Sequence, residues 1–243
     1  MSEEVTQKFT ERQFFLSLFK IMTQTYYSEY NQFFVSVDCI IFGFENGKLH
    51  ILLGKRKLTP GRGLWSLYGG FVNPAESLNA AAARVLYDLT GLNGIYMRQV
   101  GAYGEPKRDP GSRVISVAYC ALINVADYDE NLRRQYDLRW VEIDQLPTLY
   151  SDHETMVKDA HEMLQKHIFT EPLCFSLLPE MFTLTQLQKV VESILGKELD
   201  KRNFRKRIKQ CPAIVGTGII DKSSSRRGAL LYSYDSSCTD FHL

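Results

Sequence analysis

Apolar residues recur along the first part of the chain at the spacings that distinguish helices from strands. A helical repeat through residues 8–30 predicts an N-terminal helix with these apolar positions: Phe14, Phe15, Leu18, Phe19 and Met22. We expect this helix to pack on the body of the protein or on a second subunit. Residues 33–44 are rich in β-branched and aromatic side chains, which predicts a strand.

A hairpin is predicted directly after this strand. Asn46 and Gly47 form the dipeptide with the strongest short hairpin signal, so residues 49–56 are expected to return as the partner strand. The remaining patterns predict three more strands and a helix, near 95–104, 113–124, 137–142 and 153–167. Strands outnumber helices in this part of the chain, which indicates an α+β fold.

One further helix is marked by its end signals. Asn73 is a possible N-cap, Pro74 suits the first helical position, and Glu76 completes a capping pattern. The helix is expected to run to about Leu89, with Gly91 placed to end it.

The pattern changes after a predicted linker at Glu171 and Pro172. Thr183 and Gln186 form a possible capping box, Gly196 can end that helix, and Asp200 can cap a second one. Two short strands are then expected at 213–220 and 228–234. These boundaries predict three regions, an extension at 1–32, a first domain at 33–170 and a second domain at 171–243.

Composition separates the two domains further. The 243 residues carry a formal net charge of +1, with 44% hydrophobic and 23% charged residues, ordinary values for a globular protein. After Glu171, however, 11 Lys and Arg stand against 7 Asp and Glu, whereas the preceding part has 18 against 21. A basic domain on an acidic body favours a nucleic-acid partner for the smaller part, although an excess of this size also arises by chance.

Cysteine usage and the apolar runs indicate a cytoplasmic protein. The five cysteines are scattered and contain no CxxC pair, which favours free thiols over a zinc site or a disulfide framework. The first residues contain acids and no apolar signal core, and no apolar run approaches the ~20 residues of a membrane span.

A motif in the first domain carries family information. Gly70, Glu76, Arg84 and Gly91 stand at the spacing G-x5-E-x7-R followed by the closing glycine, and Leu92 supplies the final aliphatic residue. This pattern resembles the Nudix box, and the resemblance covers about residues 33–168. It implies a Nudix-like α/β/α sandwich with a mixed sheet.

The same motif lacks most of the acids that the resemblance would supply. Family members place glutamates after the arginine to coordinate Mg²⁺, which polarises a diphosphate and activates water. At those positions this chain has Val85, Asp88 and Leu89. A hard cation requires several oxygen ligands, so we expect no metal and no cofactor here, and a binding pocket retained without normal hydrolysis. A carboxylate elsewhere, such as Glu105, is the alternative.

Charged residues at positions that line Nudix pockets are the candidates for binding a small-molecule effector: Asp38, Arg56, Glu105, Arg108, Asp109 and Arg113. Asp38 is the sharpest of them, because an acid within an apolar strand requires a partner or a ligand. Such groups can hydrogen-bond hydroxyls or pair with phosphates. The competing interpretation is a solvated loop and a structural ion pair.

Two short helices followed by a hairpin resemble a winged helix-turn-helix domain. The second helix and the wing tip provide these candidates for DNA binding: Lys201, Arg202, Asn203, Arg205, Lys206, Arg207, Lys209, Arg226 and Arg227. Phe204 and Ile208 lie four apart and are expected to face the core, leaving a basic face for the major groove. The alternative is an exposed basic helix that only aids solubility.

A Nudix-like domain followed by a winged helix resembles the NrtR-type family of transcriptional regulators. The resemblance implies a homodimer that binds double-stranded operator DNA and responds to a sugar, a sugar derivative or ADP-ribose. We therefore expect a ligand-responsive regulator of sugar or NAD metabolism. The alternative is a Mg²⁺-dependent hydrolase of ADP-ribose or a related nucleoside diphosphate sugar, carrying an accessory domain.

Overall fold

The computed structural model describes residues 29–128, 135–222, 228–238 and 241. The N-terminal helix predicted for residues 8–30 therefore falls almost entirely outside the described residues. The same is true of the predicted wing-tip cations Arg226 and Arg227.

The first part of the chain is built on a seven-stranded sheet. Its strands are β1 Phe34–Glu45, β2 Lys48–Lys55, β3 Trp65–Ser66, β4 Tyr68–Phe71, β5 Met97–Tyr103, β6 Val114–Asn124 and β7 Leu138–Glu142. The main order is β3-β2-β1-β6-β5, with β4 also paired to β1 and β7 to β2. Because β1 and β6 are parallel and the other pairs are antiparallel, the sheet is mixed, as predicted.

The hairpin between β1 and β2 forms where the sequence predicts it. Asn46 and Gly47 have φ angles of 52° and 82°, and Glu45 pairs with Lys48 across the turn. Asparagine and glycine tolerate these left-handed conformations, and the turn they form matches the twist of the two strands.

Two helices cover opposite faces of the sheet and create a three-layer sandwich. Val37, Cys39 and Ile41 of β1 pack in the cluster that contains α1, Leu78–Thr90. The intervening Ile40 and Phe42 pack in the cluster that contains α2, His153–His167. Successive strand side chains point to opposite faces, so one strand supplies both cores.

The start of α1 differs from the sequence-based expectation. Helix α1 begins at Leu78, and its N-cap is Ser77, whose side chain accepts from the Ala80 amide. Asn73 and Glu76 instead close the preceding turn, in which the Asn73 amide donates to Glu76 Oε1 at 2.8 Å. The prediction of a helix beginning at Asn73 is therefore wrong, because Glu76 is engaged outside the helix. Gly91 ends α1 with φ 70°, as predicted.

The C-terminal part is a winged helix, as predicted. It contains α3 Leu184–Leu195, α4 Lys201–Ile208 and a three-stranded sheet of β8 Met181–Thr183, β9 Ile214–Asp221 and β10 Ala229–Tyr234. Thr183 and Gln186 form the complete capping box, and the Asp200 side chain accepts from the Asn203 amide. Strand β8 was not predicted, since three residues are too few to show a strand pattern.

The predicted linker is a packed turn. Pro172–Leu177 form a 3-10 helix whose Leu173, Cys174 and Leu177 are buried. The carboxylate of Glu171 accepts from Arg98 of β5, and His167 Nδ1 lies 2.8 Å from Glu171 Oε1. A single apolar cluster extends from β1 and α2 to α3 and α4. The described residues from Phe34 onward accordingly form one unit.

The cysteines are free thiols, as predicted. Burial raises the pKa of Cys39, Cys120 and Cys174 to about 12, so these thiols stay protonated and unreactive at neutral pH. Among the helices in the described ranges, none combines the length and apolar character needed to cross a membrane.

Candidate functional sites

The basic helix α4 presents its cations to solvent because its apolar residues are anchored in the core. Phe204 and Ile208 are 4% and 2% exposed. Six residues of the helix and its C-terminal end share one exposed surface next to Asp200: Lys201, Arg202, Asn203, Arg205, Lys206 and Lys209. We call these six residues the basic face.

Arg207 differs from the other cations of α4. Its guanidinium carbon lies 4.8 Å from the ring centroid of Phe169, which follows α2. The structure therefore directs Arg207 toward the first domain, away from the surface on which the other candidates meet. The helical spacing alone does not reveal this contact, because Phe169 is distant in sequence.

Two Nudix-box residues of this chain, Glu76 and Arg84, fix the loop before α1. The carboxylate of Glu76 is therefore paired and not free. Arg84 donates to both oxygens of Glu76, at 3.1 and 2.6 Å, and to the carbonyl of Phe71 at 3.1 Å. The hydrogen bonds from Arg84 lower the pKa of Glu76 to about 2. A Cβ on Gly70 would lie 3.1 Å from Val85, so glycine allows the strand to approach α1 closely.

The remaining box positions do not fit a magnesium site. Val85 and Leu89 are 4% and 1% exposed and pack in the core, while Asp88 lies on the exposed side of α1. The carboxylate of Glu76 is engaged by Arg84. In the described ranges, no group of three or more His, Cys, Asp or Glu side chains is arranged to hold a metal ion. Mg²⁺ prefers six oxygen ligands in near-octahedral geometry, which these residues do not supply.

A cleft of 390 Å³ opens beside β2 and the β3–β4 segment. It is lined by Gly54, Lys55, Arg56, Lys57, Leu58, Ser66, Leu67, Tyr68 and Gly69. Three consecutive cationic residues and one aromatic residue therefore line the same space. Cations of this kind bind phosphate oxygens, and an aromatic ring provides a surface on which a flat base can stack.

A buried polar cluster adjoins the wall of this cleft. Arg108 donates to both oxygens of Asp152 at 2.8 Å, and its Nη2 lies 3.7 Å from Asp38 Oδ2. Ser116 Oγ donates to the same Asp38 oxygen at 2.5 Å. A Cβ on Gly69 would overlap Asp38 Oδ1, so glycine is required where the cleft wall meets the cluster. The prediction that Asp38 requires a partner is confirmed, because Arg108 and Ser116 both contact its carboxylate.

His153 connects the cluster to the cleft wall. Its Nδ1 accepts from the Leu67 amide at 3.1 Å and lies 3.2 Å from Ser66 Oγ, while its Nε2 lies 3.9 Å from Asp38 Oδ1. Burial lowers the pKa of His153, against the opposing effect of Asp38. The neutral imidazole accepts at Nδ1 and carries its proton at Nε2, toward Asp38.

The other predicted effector residues lie in the surrounding loops and at the cleft itself. Arg56 lines the cleft, donates to the Pro60 carbonyl at 2.9 Å and stacks on Tyr150 at 4.0 Å. Asp109 Oδ1 accepts from the Gly111 amide at 2.7 Å. Arg113 donates to the backbone carbonyl of Glu105 at 3.3 Å. Of the six candidates, the structure brings Asp38 and Arg108 together and places Arg56 at the cleft.

Several residues of the site were not identified from the sequence. The cluster also contains Ser66, Ser116, Asp152 and His153, and Tyr150 packs edge-on against His153. The sequence did contain one signal, since Asp152 and His153 are polar residues at the start of a predicted helix. Their burial depends on the packing of α2 against the sheet, which local patterns do not reveal.

Comparison with known families matches both parts of the fold. The NUDIX domain family matches residues 32–165, and the NrtR DNA-binding winged helix domain matches residues 174–234. The fold and the basic face thus define a class of protein in which a Nudix domain precedes a winged helix.

Two similar proteins extend across nearly the whole chain. The ADPR responsive transcriptional repressor NtrR of Acinetobacter baylyi is 34% identical over 224 residues, covering 88% of this chain and 87% of that protein. The crystal structure of Shewanella oneidensis NrtR complexed with a 27mer DNA is 29% identical with a TM-score of 0.77, covering 86% of this chain and 97% of that one. The chain belongs to the NrtR-type family of Nudix-related transcriptional regulators, and the resemblance stated from its sequence is confirmed.

A third similarity is confined to the first domain. The ADP-ribose pyrophosphatase of Methanocaldococcus jannaschii is 36% identical over 112 residues, covering 45% of this chain and 64% of that protein.

The pairing of Arg108 leads to a stability prediction. Burial raises the pKa of Asp152, but the hydrogen bonds and charge of Arg108 outweigh this effect and lower it. Replacing Arg108 by Met leaves two partly buried carboxylates without their cation, so the free energy of unfolding at pH 7 should fall by about 2–3 kcal/mol. The measurement is urea denaturation of the wild type and the variant.

The pH dependence identifies the cause of this loss. In the wild type, the lowered pKa of Asp152 stabilises the fold above its unfolded pKa, and this contribution disappears as pH falls through the folded pKa. In Arg108→Met only burial acts strongly on Asp152 and raises its pKa, so the variant regains stability as Asp152 takes up a proton, and the difference from wild type should shrink between pH 7 and pH ~4. The exposed Arg62→Met is the matched control. A difference that stays constant across this range would contradict the assignment.

Proposed function

We propose that this protein is a transcriptional repressor that binds operator DNA through α4 and responds to ADP-ribose in its Nudix domain. The observation that carries the proposal is the basic face, held outward by the burial of Phe204 and Ile208. The DNA-bound NrtR of Shewanella oneidensis and the ADPR responsive repressor of Acinetobacter baylyi support the two ligands. Division of the chain at residues 32 and 170 into an extension, a sensor and a DNA-binding domain is part of this proposal.

The physical basis for DNA binding is the geometry of α4. A helix whose apolar stripe is anchored in its domain can enter the major groove with its opposite face. Lysines and arginines on that face contact phosphates or guanine edges, and Asn203 can read adenine. Action as a homodimer on a two-fold operator, with Arg226 and Arg227 of the wing contacting the backbone, belongs to the same proposal.

The cleft is the proposed site for ADP-ribose. Lys55, Arg56 and Lys57 supply positive charge for the diphosphate, and Tyr68 supplies an aromatic surface for the base. The predicted effector residues Asp38 and Arg108 lie behind the cleft wall and support it. The other three candidates, Glu105, Asp109 and Arg113, lie in the same loop as Arg108. The similarity to an ADPR responsive repressor favours ADP-ribose over the sugar effectors also considered.

A DNA-binding experiment tests the basic face. A duplex is first selected from a random pool with the full chain, and its Kd is then measured by fluorescence anisotropy over a series of salt concentrations. Arg202→Ala with Arg205→Ala should raise this Kd by at least about 30-fold, because each cation contributes about 1–3 kcal/mol. The salt dependence should become shallower by about 1–2 counterions.

A charge-matched control tests whether any loss of positive charge weakens DNA binding. Lys158 and Lys166 are exposed on α2, and replacing both by Ala should change the Kd by no more than about twofold. Failure of the selection to enrich any sequence, or equal effects of the two double variants, would overturn the proposed role of α4.

A ligand-binding experiment tests the cleft. Titration calorimetry with ADP-ribose should show binding to the wild type, and Lys55→Met with Lys57→Met should weaken it about tenfold because two phosphate-facing charges are lost. Both lysines are exposed, so the fold is retained. The control is Lys158→Met with Lys166→Met, which removes two exposed charges of α2 that do not line the cleft. Equal weakening in both variants would show that the cleft is not the site.

Hydrolysis of ADP-ribose is the second candidate function. The ion-paired Glu76 and Arg84 and the similarity to an ADP-ribose pyrophosphatase favour it, whereas burial of Val85 and Leu89 at ligand positions opposes it. We expect no release of AMP above background when concentrated protein is incubated with ADP-ribose and Mg²⁺. Turnover that is lost in Glu76→Gln would establish the hydrolase instead.

A further inference from the structure

Helix α2 begins at the cleft wall. The side chains of Asp152 and His153, at its N-terminal end, are held by Arg108 and by the Leu67 amide. Leu67 and its neighbour Ser66, which also contacts His153, both line the cleft. A ligand that fills the cleft therefore touches the residues that fix the first turn of α2.

The middle of α2 reaches the DNA-binding domain. His161 Nε2 donates to the carbonyl of Ile194 at 2.7 Å, and Gln165 Nε2 donates to the same oxygen at 3.0 Å. Ile194 lies in the last turn of α3, where helix carbonyls have no partner within their own helix. Two side chains of the first domain thus cap the first helix of the second domain. We call this contact the α2–α3 cap.

A second contact lies where α2 ends. The ring of Phe169 lies against the guanidinium of Arg207 on α4. The chain beyond it is fixed as well, because Glu171 is bound by Arg98 and lies next to His167. The C-terminal end of α2 is therefore attached both to the sheet and to the helix that carries the basic face.

We infer that α2 transmits occupancy of the cleft to the basic face, with the α2–α3 cap as the transmitting contact. This inference rests on the proposed function. A ligand shifts a conformational equilibrium only if it contacts two states differently, and Ser66 and Leu67 are the wall residues through which this difference reaches His153. Because a helix moves as a rigid element, one displacement of its first turn also moves His161, Gln165 and Phe169.

The competing explanation is that the cap only stabilises the interface between the domains. In that case its removal lowers the melting temperature and leaves the effect of ligand on DNA binding unchanged. If the cap transmits, its removal reduces the coupling free energy between the two sites, which is reciprocal between ligand and DNA.

The experiment removes the two donors with little change of shape. His161→Phe keeps an aromatic ring near Phe42, and Gln165→Met keeps the length of the side chain. The control is Glu162→Gln with Lys166→Met, which removes the surface ion pair between the same two turns of α2.

Four dissociation constants are measured for each full-length protein: ADP-ribose without and with saturating duplex, and the selected duplex without and with saturating ADP-ribose. The cap variant should keep the two single-ligand constants within about twofold of wild type, while the ratio of the duplex Kd with ADP-ribose to the duplex Kd without it moves at least about fivefold closer to 1. The same variant should also show a weaker effect of DNA on ADP-ribose binding. The control variant should retain the wild-type ratio.

Each outcome has a defined meaning. A wild-type ratio preserved in the cap variant overturns the inference and leaves the proposed function intact. A wild type whose DNA affinity does not respond to ADP-ribose overturns the proposed function and the inference with it. If the cap variant does not fold, His161→Phe and Gln165→Met are measured singly, since each removes one of the two donors to the Ile194 carbonyl. A ratio unchanged in both single variants then overturns the inference.

Discussion

The bidentate pairing of Arg108 with Asp152 is the interaction on which the arrangement of the first domain depends. Arg108 comes from the loop between β5 and β6, Asp152 precedes α2, and Asp38 on β1 shares the same guanidinium. These buried charges are stable only together, because removing one partner leaves another without compensation. The position of α2, the orientation of His153 and the shape of the cleft wall all follow from this pairing.

The Nudix box combines residues that shape the backbone with residues that pack in the core. Gly70, Arg84 and Gly91 retain the close approach, the loop anchor and the helix end that the motif requires. Val85 and Leu89 occupy ligand positions and join the core, so α1 gains apolar packing where carboxylates would face solvent and metal. The scaffold of the motif and the identity of its ligand positions are thus independent, because they depend on different side chains.

The two domains share one apolar core, so packed side chains connect the region of the cleft to the helix that carries the basic face. The apolar cluster that contains Phe42 and Met156 also contains Phe204 and Ile208 of α4. The linker predicted at Glu171 and Pro172 is a buried turn. Close-packed interiors transmit small displacements, so a change at the cleft has a material connection to the helix that carries the basic face.

Local sequence was sufficient to predict the helices of the winged helix, their caps, the hairpin at Asn46 and the Nudix skeleton, because each depends on residues close together along the chain. It also separated the buried Phe204 from its basic neighbours by helical spacing alone. Which charged side chains contact each other depends instead on how the strands and helices pack. Asp38 meets Arg108, and His161 reaches the end of α3, across long separations in sequence that no local pattern constrains. Sheet pairing and helix packing set these contacts, and through them the cleft and its connection to α4.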